Sequence, residues 1–157
     1  MQNPILPVGS FVWCRFPLRE AHRIPGPMDH LHLAYVAASG QNNQVLTVYT
    51  TSVTWKPSTP VAFGVIVVPS DVASAMGQQP FYLDARRVAI LPVTDEWFPS
   101  LATESHGIIS RANKSFRAEV DRVLTEVLDR HREIVERYGP EAPDLPEKSV
   151  WTPPKHR

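Results

Sequence analysis

The chain reads as mainly β with a C-terminal helix: a small, strongly bent sheet or barrel packed on one long amphipathic helix. Short runs of β-branched and aromatic residues recur between positions 11 and 91, each closed by Pro or Gly turn chemistry. From Ser110 onward the apolar residues recur three or four apart and form a single stripe. The strand-like runs all precede the helix, an order that folds as a curved sheet covered by a terminal helix. A length of 157 residues fits one domain with a core of its own. We place that domain at residues 1–139 and a Pro-rich tail at 140–157.

The first strand is Phe11–Phe16, opened by Gly9-Ser10 and closed by Pro17. Phe11, Trp13 and Arg15 share one face and Val12, Cys14 and Phe16 the other, so large apolar groups on both sides predict burial on both. Residues 18–29 form a polar loop holding Arg19, Glu20, His22 and Arg23, then the turn sequence Pro25-Gly26-Pro27. His30–Ala38 reads as the second strand. Its His30 and His32 fall on one face, half of a metal site, but no further cluster of ligands stands at suitable spacing.

After the turn-forming run Ser39–Gln44, Val45–Ser52 reads as the strand on which the rest is organised. Leu46 and Val48 share an apolar face, while Thr47, Tyr49 and Thr51 share a face ending in hydroxyls. Hydroxyls there either satisfy turn backbone or meet a ligand. Trp55 and Lys56 follow in a loop, one aromatic and one cation. Phe63–Val68 reads as a strand stopped by Pro69. Asp71–Gly77 reads as a helical turn, with Ser70 or Asp71 as N-cap and Gly77 as C-cap. Phe81–Leu83 and Val88–Leu91 read as two strands, separated by a turn or bulge at Asp84–Arg87; Arg86-Arg87 could add phosphate contacts, but paired arginines at a turn are more often solvated. Trp97 and Phe98 mark an aromatic exit from the sheet. The helix stripe comprises Ala112, Phe116, Val120, Val123, Leu124, Val127, Leu128, Ile134, Val135 and Tyr138. Ser110 or Asn113 caps its start and Gly139-Pro140 its end. In the tail only Val150-Trp151 offers an anchor.

Sixteen Lys and Arg balance sixteen Asp and Glu, so no global basic field advertises nucleic acid, and local patches must carry any such contact. The single cysteine, Cys14, has no partner for an internal disulfide and no His or acid beside it, and reads as a structural thiol. Met1-Gln2-Asn3-Pro4 lacks a basic-then-apolar leader, and the longest apolar run, Val65–Val68, is far too short to span a bilayer. A soluble cytoplasmic protein is expected.

Gly9-Ser10-Phe11-Val12-Trp13 with Phe16-Pro17, Pro25-Gly26-Pro27-Met28-Asp29 before a strand, Val48-Tyr49-Thr50-Thr51-Ser52, and Leu83–Pro92 together resemble the PemK/MazF-like proteins. The resemblance covers roughly residues 8–135. It implies an SH3-like β-barrel, a homodimer, and the toxin of a toxin–antitoxin pair that cuts single-stranded RNA without a metal or other cofactor. An antitoxin protein would block the groove. In many members an Arg-Pro pair opens the second strand and a Thr-Ser pair ends the third. Thr51-Ser52 stands in place here, whereas His30-Leu31 replaces Arg-Pro.

That replacement has a physical consequence. RNA cleavage by the 2′-hydroxyl needs a group that moves a proton and a cation that neutralises the phosphorane. Arginine carries permanent charge and a bidentate fork; histidine at pH 7 is a proton carrier. The catalytic candidates are therefore Arg23 as phosphate clamp, His30 as acid or base, and Thr51 on a phosphate oxygen. His32, Tyr49, Ser52, Trp55 and Lys56 are the substrate-binding candidates. The alternative is a PemK/MazF-like barrel that has lost its chemistry and binds a protein or nucleic-acid partner, with Trp13, Tyr49 and Trp55 as groove walls. A plain structural barrel, working through its dimer face and helix, is the third reading.

Overall fold

The computed structural model describes residues 6–16, 31–40, 43–56, 60–101, 103, 105–138 and 150–151; the side chains of Ser52, Thr54, 131–138 and 150–151 lie outside that description. The elements run β1 (Ser10–Cys14), β2 (His32–Ser39), β3 (Gln44–Thr54), β4 (Val65–Val68), α1 (Ser70–Ser74), β5 (Phe81–Pro92), β6 (Ile108–Arg111), α2 (Lys114–Tyr138) and β7 (Val150–Trp151). The strands make one sheet in the order β4-β5-β3-β2-β1-β6, antiparallel throughout, with β7 added parallel to β5. Its end strands β4 and β6 do not pair with each other, so the hydrogen-bonded path is open among the described residues. The α+β architecture is as expected. No helix among the described residues is long and apolar enough to cross a membrane.

Both faces of the sheet are buried, each in its own core. One lies between sheet and α2 and holds Phe11, Tyr35, Val48, Leu83 and Val88 beneath Phe116, Val120, Leu124 and Val127. Apolar periodicity on α2 makes this layer, since residues three or four apart share a helix face. Leu128, expected in the stripe, is instead exposed. The other core holds Val12, Cys14, Phe16, Ala34, Val36, Ala89 and Leu91, closed by Trp97, Phe98 and Leu101 from the segment after β5. The two-sided apolar pattern of β1 follows directly from this arrangement.

Several local expectations are corrected. Ser110 does not cap the helix; it lies in β6, which the sequence reading had not separated from the helix. Asn113 is the cap, its Oδ1 accepting from the Phe116 N–H at 2.8 Å. Neither Ser70 nor Asp71 caps α1: Pro69 occupies that place without a side-chain hydrogen bond, and Ala75 precedes Gly77 at the other end. The second strand starts at His32 rather than His30. Phe81–Leu83 and Val88–Leu91 are one continuous strand, β5, with an irregularity between them. Tyr49 pairs with Asp84 whereas Val48 pairs with Val88, so residues 85–87 are extra on β5 and the strand bends there.

Asp84 holds that bend. Its carboxylate accepts the Arg86 backbone N–H at 3.0 Å, and Nε and Nη2 of the same residue at 2.9 and 3.1 Å. Arg86 is thus bound within the bulge, not solvated as expected. Asp84→Ala would remove the acceptor of the bulge N–H and the carboxylate paired with the Arg86 guanidinium, and is expected to cost about 1–3 kcal/mol, read by urea unfolding. An unchanged midpoint would show that the bulge is set by strand pairing alone.

Candidate functional site

β2 and β3 run side by side, with Ala34 opposite Tyr49, and their ends open beside the connection from α1 to β5. A groove of about 540 Å³ lies there. Its walls come from three sources: Trp13 on β1; Leu31, His32 and Leu33 at the start of β2; and Tyr49, Thr50 and Thr51 on β3. Gly77, Gln78, Gln79 and Phe81 close the far side. Gly77 has φ of +69° in open space, which turns the chain out of α1 and lays the two glutamines along the groove. The Trp55 N–H donates to the Pro80 carbonyl at 2.8 Å and ties this wall to the end of β3.

Tyr49 is the centre of an aromatic cluster. Phe16 lies 5.5 Å from its ring and His32 5.9 Å, the imidazole tilted 31° to it. The Arg87 guanidinium sits 5.1 Å from the Tyr49 ring centroid, a cation–π contact. Arg87 immediately precedes Val88, which pairs with Val48, and this places it beside Tyr49 at the edge of the bulge.

The hydroxyls of β3 divide between structure and groove. Thr47 is buried and donates to the Ala89 carbonyl at 2.9 Å, so the expected open row does not extend to it. The Thr50 hydroxyl donates to the Leu33 carbonyl, pinning β3 to β2 at the groove floor. Thr51 is half-buried, and its Oγ1 accepts a long 3.3 Å bond from the Val53 N–H, leaving its own proton for another acceptor.

Of the sequence candidates, His32, Tyr49 and Thr51 come together in this groove. Trp55 and Lys56 do not line it: Trp55 is half-buried behind the glutamine wall and Lys56 is exposed. Arg23 and His30 lie outside the described residues, as does the Ser52 side chain. Sequence reasoning missed Gln78, Gln79 and Phe81, which sit in an unremarkable stretch between α1 and β5 and carried no signal of their own. Arg87 stands in the segment read as a turn or bulge, and only the pairing of β5 with β3 reveals its contact. No group of three or more His, Cys, Asp or Glu among the described residues is placed to hold a metal.

The chemistry available here is stacking on aromatic faces, hydrogen bonding from amides and hydroxyls, and proton exchange at one imidazole. This defines an open groove suited to an extended ligand with flat rings and polar edges. No family model matches the chain, and no curated protein matches it either.

Proposed function

We propose that this groove takes single-stranded RNA and that the chain is a PemK/MazF-like toxin, a metal-independent endoribonuclease. The observation that carries the reading is the convergence of His32, Tyr49 and Thr51 in one groove walled by Trp13 and Phe81. Bases unstacked from a single strand find aromatic faces at Trp13 and Tyr49, and their edges face Gln78 and Gln79. In this reading the bent sheet is an SH3-like barrel, the chain works as a cytoplasmic homodimer, and an antitoxin protein competes with RNA for the groove.

The reaction needs no resident group beyond side chains. The 2′-hydroxyl passes its proton to a base as its oxygen attacks the adjacent phosphorus. The 5′-oxygen of the next nucleotide leaves with a proton from an acid. The products are a 2′,3′-cyclic phosphate and a 5′-hydroxyl, with no net change in protons. His30 supplies the acid or base, with His32 near it in sequence and already in the groove. Thr51 donates to a phosphate oxygen, and Arg23 neutralises the charge that builds on the phosphorane.

A second reading is favoured by one observation: the described groove lining includes no Lys or Arg. With His30-Leu31 in place of Arg-Pro, a groove that binds without cutting follows from that. One experiment separates the two. Purified chain is incubated with labelled single-stranded RNA in excess chelator, and binding and cleavage are followed together. The endoribonuclease reading expects cut RNA with cyclic phosphate ends, and a rate lowered about 10²-fold or more by His30→Ala or Thr51→Ala. Binding weakened by Tyr49→Ala, by about 1–3 kcal/mol for each stacked base, with RNA left intact, would establish the binding module. Absence of both would remove RNA as the ligand.

A further inference from the structure

We propose that the open edge of β4 is a docking site for an extended, basic segment of a partner protein, which adds to the sheet as a strand beside the start of α2. None of its residues lines the groove at β2 and β3. The proposal does not depend on RNA being that groove's ligand.

β4 ends the sheet. It pairs with β5 on one side, and no described strand pairs with it on the other. The Ala85 N–H donates to the Gly64 carbonyl at 2.8 Å, next to the Val65–Asp84 pair. Backbone polar groups alternate sides along an antiparallel strand, so Gly64, Ile66 and Val68 turn theirs to β5 while Val65 and Val67 turn theirs outward. The Val65 N–H is taken by the Ala62 carbonyl at 3.1 Å. The Val65 carbonyl and both backbone groups of Val67 remain as a template for another strand.

That edge opens into a cleft of about 470 Å³ between β4 and the start of α2. Ile66 and Phe116 line it and belong to the core between sheet and helix, so its apolar part is fixed by the packing of the fold. Edge strands are commonly guarded by a lysine or an inward charge, and Val65-Ile66-Val67-Val68 carries neither. A strand laid here finds backbone partners on one side and apolar surface beneath it.

Charge selects the occupant. The charged side chains lining the cleft are Asp71 and Glu119, both exposed, and its described lining includes no Lys or Arg. Asp71 Oδ2 accepts from the Asn113 amide at 3.2 Å and Glu119 Oε1 from Arg122 at 3.1 Å. Each carboxylate is thus oriented through one oxygen, and the other can accept from a ligand. A second copy set edge to edge here would bring like-charged pairs together, which opposes self-pairing. The chain's own basic end, Lys155-His156-Arg157, follows Pro153-Pro154, which lack the N–H groups that a ladder needs. A partner segment with lysine or arginine at alternate positions and β-branched residues between them meets both the ladder and the carboxylates.

The test titrates the full, isotope-labelled chain with a capped peptide of alternating lysine and valine, following affinity and amide hydrogen exchange by NMR. The peptide is expected to slow exchange of the Val67 amide about tenfold or more. It should bind about tenfold or more tighter at low salt than its glutamate–valine counterpart. Peptides N-methylated at every other residue, made in both phases, should lose binding in at least one phase, a check that leaves the protein untouched. Asp71→Asn combined with Glu119→Gln should weaken the lysine peptide severalfold and erase its preference over the glutamate peptide. Equal affinity for the two peptides, an unprotected Val67 amide, or binding undiminished by N-methylation in either phase overturns the site. So does a chain that dimerises in sedimentation and protects Val67 without peptide, which would give the edge to a second copy. If RNA does not bind, the peptide titration still decides the proposal, and only the reading of the groove falls.

Discussion

Replacing Phe11 by Ala is expected to cost about 3–5 kcal/mol of folding stability, the range for a fully buried aromatic cut back to Cβ. Phe11 is completely buried and meets three rings at once: Tyr35 at 5.3 Å, Phe81 at 6.1 Å and Phe116 at 6.2 Å between centroids. Those rings belong to β2, β5 and α2, so one side chain joins the middle of the sheet, its bent strand and the covering helix. The Tyr35 and Phe81 contacts are edge-on, which adds favourable ring electrostatics to area burial. Because a domain of this size carries only about 5–15 kcal/mol in total, the variant would lose between about a fifth and all of its stability. Chemical unfolding of the two proteins checks it. A loss below about 1 kcal/mol would mean that Phe116 and Tyr35 collapse into the space left behind.

Alkaline pH should destabilise the fold more steeply than its neutral net charge would suggest. Burial pushes the Cys14 thiol from its ordinary value of 9.0 up to about 12. Between those values the unfolded chain loses this proton and the folded chain keeps it. Stability is therefore intact below about pH 9 and falls as pH rises, by about 1.4 kcal/mol per unit for one such group. By pH 12 that single thiol accounts for roughly 4 kcal/mol. Tyr35, raised from 10.0 to about 12, adds a second loss with the same sign above pH 10. Urea unfolding from pH 8 to pH 11 should show the decline, and Cys14→Ala should remove most of its first segment. Parallel curves for wild type and Cys14→Ala would show that the thiolate is tolerated where it stands. Native Cys14 should also resist thiol reagents at pH 8 and react on unfolding.

The elements that were legible in the sequence are those whose periodicity is local. The alternation in Phe11–Phe16 and Val45–Ser52 and the three-to-four spacing of Phe116, Val120, Leu124 and Val127 each follow from backbone geometry, and each yields the element type expected, with the strands bounded at Ser10–Cys14 and Gln44–Thr54. Val150-Trp151 likewise pairs, as a short strand on β5. What was misread depends on partners far away along the chain. Asp84–Arg87 fits a turn or a bulge by its residues, and pairing with Tyr49 on one side and β4 on the other decides for a bulge within one strand, where two strands were expected. Ser110 looks like a helix cap by residue type, but strand pairing with β1 claims it and passes the cap to Asn113.

The same division holds for the site. Tyr49 and Thr51 were legible because they lie on one strong strand. Gln78, Gln79 and Arg87 were not, since nothing in their neighbours along the chain reports what they face across the fold.

By itself, then, the sequence determined the class of fold, the helix that covers the sheet, the inert buried thiol and the strand that carries the groove's hydroxyls. Propensity and periodicity act over a few residues and suffice for these. The tertiary structure alone decided which hydroxyls stay in the groove, that Arg87 reaches Tyr49, and that Arg117 packs on the backbone of Gly9. Each of these depends on strand register, a bulge or a close backbone approach, and such contacts join residues that the chain keeps tens of positions apart.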